Sequence, residues 1–287
     1  MAIVVNNWIN ENRKIIDQKG MFKVVEHQQD LSVNSITAQS AYFANKMNAR
    51  LRQVEITLDG TQTVKTQAGA MQMMIGGVEM ATGVTSAKGF LGSMVKAAVT
   101  NETAVKPEYT GKGQVILEPT YKHILLQNVA DWGNGGLVIE DGMFLASEGG
   151  VVHKVVENTQ SLGTALLSGE GLFNLCFTGT GIVALESHVP FEELVEYELD
   201  NDVLKVDGSM AVCWSGSLKF SVEKTTKSLL GSMASGEGLV NGYRGTGKVW
   251  VSPVAGTKDS EPKTMASSQS TPKEASSGGS LLGALLG

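Results

Sequence analysis

The chain is poor in several things, and each scarcity excludes something. Only two of its 287 residues are cysteine, Cys176 and Cys213, too few for a disulfide scaffold and without the Cys-x-x-Cys or Cys/His spacing of a metal site. A reducing compartment is the simpler setting. Six prolines and 6% aromatic residues stand against 34 glycines, a balance that suits many short strands and tight turns better than a helical bundle. Positive charge is short as well: the formal net charge is −6 and the pI near 5.3, which argues against a groove that tracks a phosphate backbone, DNA included. No uninterrupted apolar run reaches the roughly 18 residues that a membrane-spanning helix needs. The first residues include Asn6, Asn7 and Glu11 and lack both the charged start and the apolar core of a signal peptide. These absences predict a cytoplasmic chain, peripheral at a membrane where it meets one.

What is present is repetition. The stretch Gly179-Thr180-Gly181-Ile182-Val183-Ala184-Leu185 returns as Gly245-Thr246-Gly247-Lys248-Val249-Trp250-Val251, and more faintly as Gly111-Lys112-Gly113-Gln114-Val115-Ile116-Leu117. A second landmark keeps step with it: Gly142 precedes Gly179 by the same interval that separates Gly208 from Gly245, and Gly69 precedes Gly111 by a slightly longer one. Two landmarks with one spacing predict a structural unit written three times. Between them each copy carries a small-residue segment, Leu91-Gly92-Ser93-Met94, Leu162-Gly163-Thr164-Ala165 and Leu230-Gly231-Ser232-Met233, followed by an acidic residue, Glu102, Glu170 or Glu237. The extra length of the first copy falls in or beside that segment, which has room there for a short helix.

Alternation supports strands. Val54, Ile56 and Leu58 fall on one face and Gln53, Glu55 and Thr57 on the other, ahead of the Asp59-Gly60 turn signal, the pattern of a half-buried antiparallel strand. Residues 21–26 and 63–66 read as further strands, and a methionine-rich one opens at Ala68-Gly69-Ala70-Met71. The Gly-x-Gly motifs read as turns of a hairpin that closes each unit, with Gly111, Gly113, Gly179, Gly181, Gly245 and Gly247 as hairpin glycines. The division is then an N-terminal arm over 1–20, helical or irregular; a first β repeat with its insertion over 21–118; a second over 119–187; a third over 188–253; and a disordered tail over 254–287. That tail is rich in Ser, Thr, Lys, Pro and Gly and ends in the apolar peptide Leu281-Leu282-Gly283-Ala284-Leu285-Leu286, either a docking peptide for a protein partner or a frayed end. The fold class is all-β: three pseudo-symmetric repeats of a short double-stranded β-helix or β-sandwich unit.

Gly69-Ala70-Met71, the small-residue segment leading to Glu102, and the paired Ser-Gly-Glu-Gly-Leu and Gly-Thr-Gly motifs resemble the mitochondrial biogenesis family, named for altered inheritance of mitochondria and formerly a domain of unknown function. The resemblance covers roughly residues 21–252. It implies a fold similar to the tryptophan RNA-binding attenuation protein, whose subunits form rings, and a chain that self-associates as a trimer or ring. It implies no activity, because the family has no established reaction; its mitochondrial members are associated with inner-membrane organisation. The chain lacks an Arg-rich, acid-poor transit segment, so a bacterial cytoplasmic relative is the expectation.

Chemistry is sparse. The Gly-x-Gly motifs lead into strands, whereas phosphate loops open helices. Glu102, Glu170 and Glu237 are the repeated acidic positions, either pinning backbone N–H groups or lining an axis as a cation site. His27, His123, His153 and His188 show no ligand spacing and read as isolated surface residues. Cys176 and Cys213 lie in alternating strands and read as small hydrophobes. Ser168 and Ser235 lie outside any nucleophile elbow, and Glu192, Glu193, Glu196 and Glu198 read as a solvated face. No catalytic residue, cofactor or metal is expected. The sequence predicts a non-catalytic, self-associating scaffold, with a ring that binds a small molecule or RNA as the alternative by analogy of fold.

Overall fold

Alternation of apolar and polar residues at period two, punctuated by glycine, produces strands almost throughout. The computed structural model describes residues 3–82, 106–157, 173–207, 210–224 and 239–254, which hold sixteen strands in two curled antiparallel sheets. The first sheet runs β1 (Arg13–Lys19), β2 (Phe22–His27), β3 (Arg52–Asp59), β6 (Glu108–Leu117), β4 (Val64–Thr66), β9 (Phe144–Glu148), β12 (Ile182–Ser187) and β7 (His123–Asn128), with β5 (Met71–Ala81) paired to β6. The second runs β10 (Val151–Glu157), β11 (Phe173–Gly179), β8 (Leu137–Ile139), β14 (Ala211–Ser215), β16 (Leu239–Val251) and β13 (Val195–Asp207), with β15 (Lys219–Lys224) paired to β16. Strands from 21–118 lie in the first sheet and strands from 188–253 in the second. The stretch 119–187 contributes to both.

Three apolar clusters hold these layers. One lies under the first sheet around Phe22, Val54, Ile56, Val115 and Leu126. Another joins Trp132, Phe144, Phe177, Leu185 and Trp250 from both sheets. A third packs Cys176, Trp214, Tyr243 and Val249. Both cysteines are buried and free, and burial pushes both thiols up from their ordinary range.

The one α-helix among the described residues, α1 (Ala38–Lys46), buries none of its side chains. Asn34 Oδ1 accepts from the backbone N–H groups of Ile36 at 2.9 Å and Thr37 at 3.1 Å ahead of it, and Asn48 at φ 63° follows its end.

The N-terminal arm differs from expectation. Residues 13–19 form strand β1, paired antiparallel with β2 through a turn at Gly20, φ 54°. Ile15 and Ile16 satisfy a strand as well as a helix, and the available partner decides.

The Gly-x-Gly motifs are not hairpin turns. Gly111 and Gly113 lie inside β6, Gly245 and Gly247 lie inside β16, and Gly179 ends β11 while Gly181 precedes β12, two strands that do not pair with each other. At the first and third motifs a long strand changes partner, and at the second the chain passes from one sheet to the other. β6 pairs with β4 before Gly111 and with β3 from Lys112 onward. β11 pairs with β10 and β8, whereas β12 pairs with β7 and β9. β16 pairs with β15 before Gly245 and with β14 after Gly247. All six glycines have positive φ. At the first motif the close approach is explicit: a Cβ on Gly111 would collide with the Gly77 carbonyl oxygen, and one on Gly113 with that of Ile75. A glycine pair within an alternating run fits a bend in one strand as well as a turn between two.

Gly111→Ala therefore combines positive φ with a backbone collision, while Gly69→Ala, at φ 81° with nothing within 4 Å of its Cβ, carries only the first penalty. We expect Gly69→Ala to cost about 1–3 kcal/mol and Gly111→Ala to cost more, read from urea unfolding midpoints.

Candidate functional site

Strands β1 and β7 end the first sheet, and each pairs on one side only among the described residues. The sheet curls enough to bring them face to face without a ladder between them. Lys19 Nζ on β1 donates to the Leu126 carbonyl oxygen on β7 at 2.7 Å. Beside this bridge opens a cleft of about 420 Å³, walled by Ile16, Ile124, Leu126 and Phe191 and floored by Glu26, Arg52 and His123.

The floor is built by a charged network that the linear pattern did not single out. Arg52, 2% exposed, pairs through one terminal nitrogen with Glu26 Oε2 at 2.8 Å, and Arg50 pairs with Glu26 Oε1 at 2.8 Å. The same guanidinium donates to the Asn48 side-chain oxygen at 2.8 Å and to the backbone oxygens of Asn48 at 3.0 Å and Arg50 at 3.1 Å. Burial lowers the Arg52 pKa and Glu26 opposes that shift. His123 is pushed down to about 4, first by burial and then by Arg52, so its imidazole is neutral at pH 7.

A second polar anchor lies on β3. Part of the face expected to be solvated is covered: Gln53 and Glu55 are 5% and 3% exposed, while Thr57 stays exposed. Glu55 accepts from Trp8 Nε1 at 2.7 Å, Lys23 Nζ at 2.9 Å and Gln114 Nε2 at 3.0 Å, which pins the arm to the sheet.

A third is the pair Ser147 and His153, with Oγ and Nε2 2.8 Å apart. The imidazole meets the Phe144 and Phe177 rings edge-on, 5.0 Å from each. Burial and the charges of Lys106 and Lys65 push His153 down to about 3. The pair lacks the parts of a nucleophilic dyad, because Ser147 is fully buried and His153 Nδ1 has no hydrogen-bond partner to orient it. His123 and His153 are thus half-buried groups, which corrects the reading of isolated surface histidines. A polar residue within an apolar strand, as in Val-Val-His153-Lys-Val-Val, was the available signal.

The acidic run is likewise partly structural. Glu196 accepts from Trp250 Nε1 at 2.6 Å and lies 3.3 Å from Lys248 Nζ, and Trp250 packs at 5.0 Å against Trp132. Glu102, Glu170 and Glu237 lie outside the described residues, as does the tail from 255. Among the described residues no cluster of His, Cys, Asp and Glu could hold a metal ion, and no helix is long and apolar enough to cross a membrane.

Comparison with known proteins places this arrangement. The sequence matches the mitochondrial biogenesis AIM24 family over residues 11–254. The chain belongs to that family. A similar chain is an uncharacterised protein of Streptococcus pyogenes serotype M6, 26% identical over 205 residues, which are 69% of this chain and 79% of that one. A crystal structure of a Streptococcus pyogenes protein shares the fold with a TM-score of 0.52 at 22% identity, covering 71% of this chain and 88% of that one. For this AIM24 chain the match to residue 11 takes in β1, which the resemblance read from 21 onward left out.

Two outcomes follow from the buried polar groups. Arg52→Ala leaves Glu26 with half its compensation and should cost about 3–5 kcal/mol, whereas the double variant Glu26→Leu/Arg52→Met should cost clearly less, by urea unfolding. His153 has a folded pKa below its unfolded value near 6.5. Its contribution is therefore complete above about pH 6.5 and is lost as the pH falls toward about 3. Stability measured between pH 7 and pH 5 should fall less steeply in His153→Gln than in the wild type.

Proposed function

We propose that this chain is a non-catalytic, self-associating β scaffold that holds other proteins together. The observation that carries the reading is that strands paired on one side only among the described residues expose apolar side chains: Ile15 and Ile16 on β1, Val152 and Val155 on β10, Val195 and Tyr197 on β13. A one-sided strand of this kind is a template for pairing with another chain.

Support for a non-catalytic role comes from the way the buried polar groups are used. Glu26, Arg52, Glu55 and Glu196 are each engaged in holding elements together. In our reading the chain is three copies of one β unit, over 21–118, 119–187 and 188–253. The recurrence of a Gly-x-Gly bend at a change of strand partners in each of the three stretches supports it. Heterologous contacts between identical chains close into rings when the rotation allows, so a trimer or ring is the form we assign. The apolar peptide at 281–286 is the element we assign to a protein partner, within a cytoplasmic assembly peripheral to a membrane. The repeated glutamates Glu102, Glu170 and Glu237 then pin the backbone of each unit.

Size-exclusion chromatography with light scattering at about 10 μM should give a mass of several chains. Because apolar edges drive the contact, that mass should persist when salt is raised enough to screen exposed charges. A strict monomer at tens of micromolar would sink the proposal.

A further inference from the structure

The first sheet ends at β1 and β7 with no ladder between them, and the same chain carries a short β-forming segment that pairs with no strand among the described residues. Resting on the self-association reading, we propose that the two belong together: residues Ile3 to Val5 of one copy enter the cleft between β1 and β7 of a second copy and pair along its free edges.

The arm is built to project. Trp8 is held by Glu55, and Asn10 Oδ1 accepts from the backbone N–H groups of Asn12 at 2.8 Å and Arg13 at 2.9 Å, so the chain is fixed from Trp8 onward. Ahead of that anchor, Ile3, Val4 and Val5 are 65%, 76% and 47% exposed and none of them lines its own chain's cleft. Three successive β-branched residues favour extended backbone and bring no charge.

The cleft matches that chemistry. Its inner charges are already spent, Glu26 on Arg50 and Arg52 and Lys19 on the Leu126 carbonyl. An uncharged strand can enter between Ile16 and Leu126 without stranding a charge, whereas an acidic one would meet no free cation along the lining. Asp17 and Glu192, also along the cleft, have no ion-pair partner among the described residues. A cation stands at the base of the arm: the Arg13 guanidinium donates to the Asn7 carbonyl at 2.5 Å and lies over the Trp8 ring. Apolar segment against apolar walls and arginine toward carboxylates give the contact its direction. Strand addition of this kind draws affinity from main-chain hydrogen bonds along the edges. The two sides of the contact are different surfaces, so each copy can donate and accept, and the assembly grows head to tail until it closes.

The test uses full-length chains with Val4→Asp, which spoils the arm, and Ile16→Asp, which spoils the cleft. Both positions are exposed in the single chain, so both variants should keep the wild-type Tm. By analytical ultracentrifugation the wild type should form a multi-chain species and each variant alone should associate at least tenfold more weakly. An equimolar mixture should form one-to-one dimers and nothing larger, since the Val4→Asp copy keeps its cleft and the Ile16→Asp copy keeps its arm. A wild-type oligomer that neither variant weakens overturns this contact and leaves self-association standing. A monomeric wild type overturns both, and weakened variants that fail to dimerise on mixing overturn the head-to-tail pairing.

Discussion

A curled sheet that does not close leaves two rows of backbone donors and acceptors facing one another, and the architecture of the N-terminal half answers to that constraint. Backbone polar groups removed from water need partners. Lys19 supplies one by reaching from β1 to the Leu126 carbonyl on β7. The floor of the gap is filled by Arg52 and Glu26, a pair that also fastens the segment after α1 to β3 through Asn48. Glu55 then fixes Trp8 over the outer face of β3. Each of these groups would be costly if buried alone, and each is placed where another element of the fold must come to meet it.

The same logic recurs in the second sheet with neutral and aromatic partners. Trp250 is tied to Glu196 on β13 while its ring packs against Trp132. Ser147 and His153 lie on either side of the Gly149-Gly150 passage that carries the chain from the first sheet to the second. Polar pairs of this kind add little net stability over well-packed apolar residues, but removing one member strands the other. They select one arrangement of strands from several that the apolar pattern would accept. That selection matters in a protein with many short strands of similar composition, where a slip of one residue turns each face inside out.

Much of the fold was legible in the sequence and little of the site was. The alternation of Val54, Ile56 and Leu58 identified a strand, and the Gly-x-Gly motifs marked positions of positive φ. The same glycines misled on connectivity, because positive φ serves a bend against a neighbour's carbonyl as readily as a two-residue turn. Ile15 and Ile16 were ambiguous between helix and strand for lack of a visible partner. Glu26, Arg52, Glu55 and His153 each looked like ordinary polar residues on a half-exposed strand, since burial of a polar face depends on what other segment covers it.

By itself the amino-acid order determined that this AIM24-family chain would be built almost wholly of strands, where glycine had to stand, and that its two cysteines would serve as apolar filler. These are local matters of period, steric freedom and side-chain size, and a short window of sequence contains them. Only the tertiary structure decided which strands pair, that β1 joins the sheet, and that β1 and β7 end it with a cleft between them. Pairing and closure depend on contacts between residues far apart in the chain, such as Lys19 with Leu126 and Trp8 with Glu55, and no local pattern carries that information.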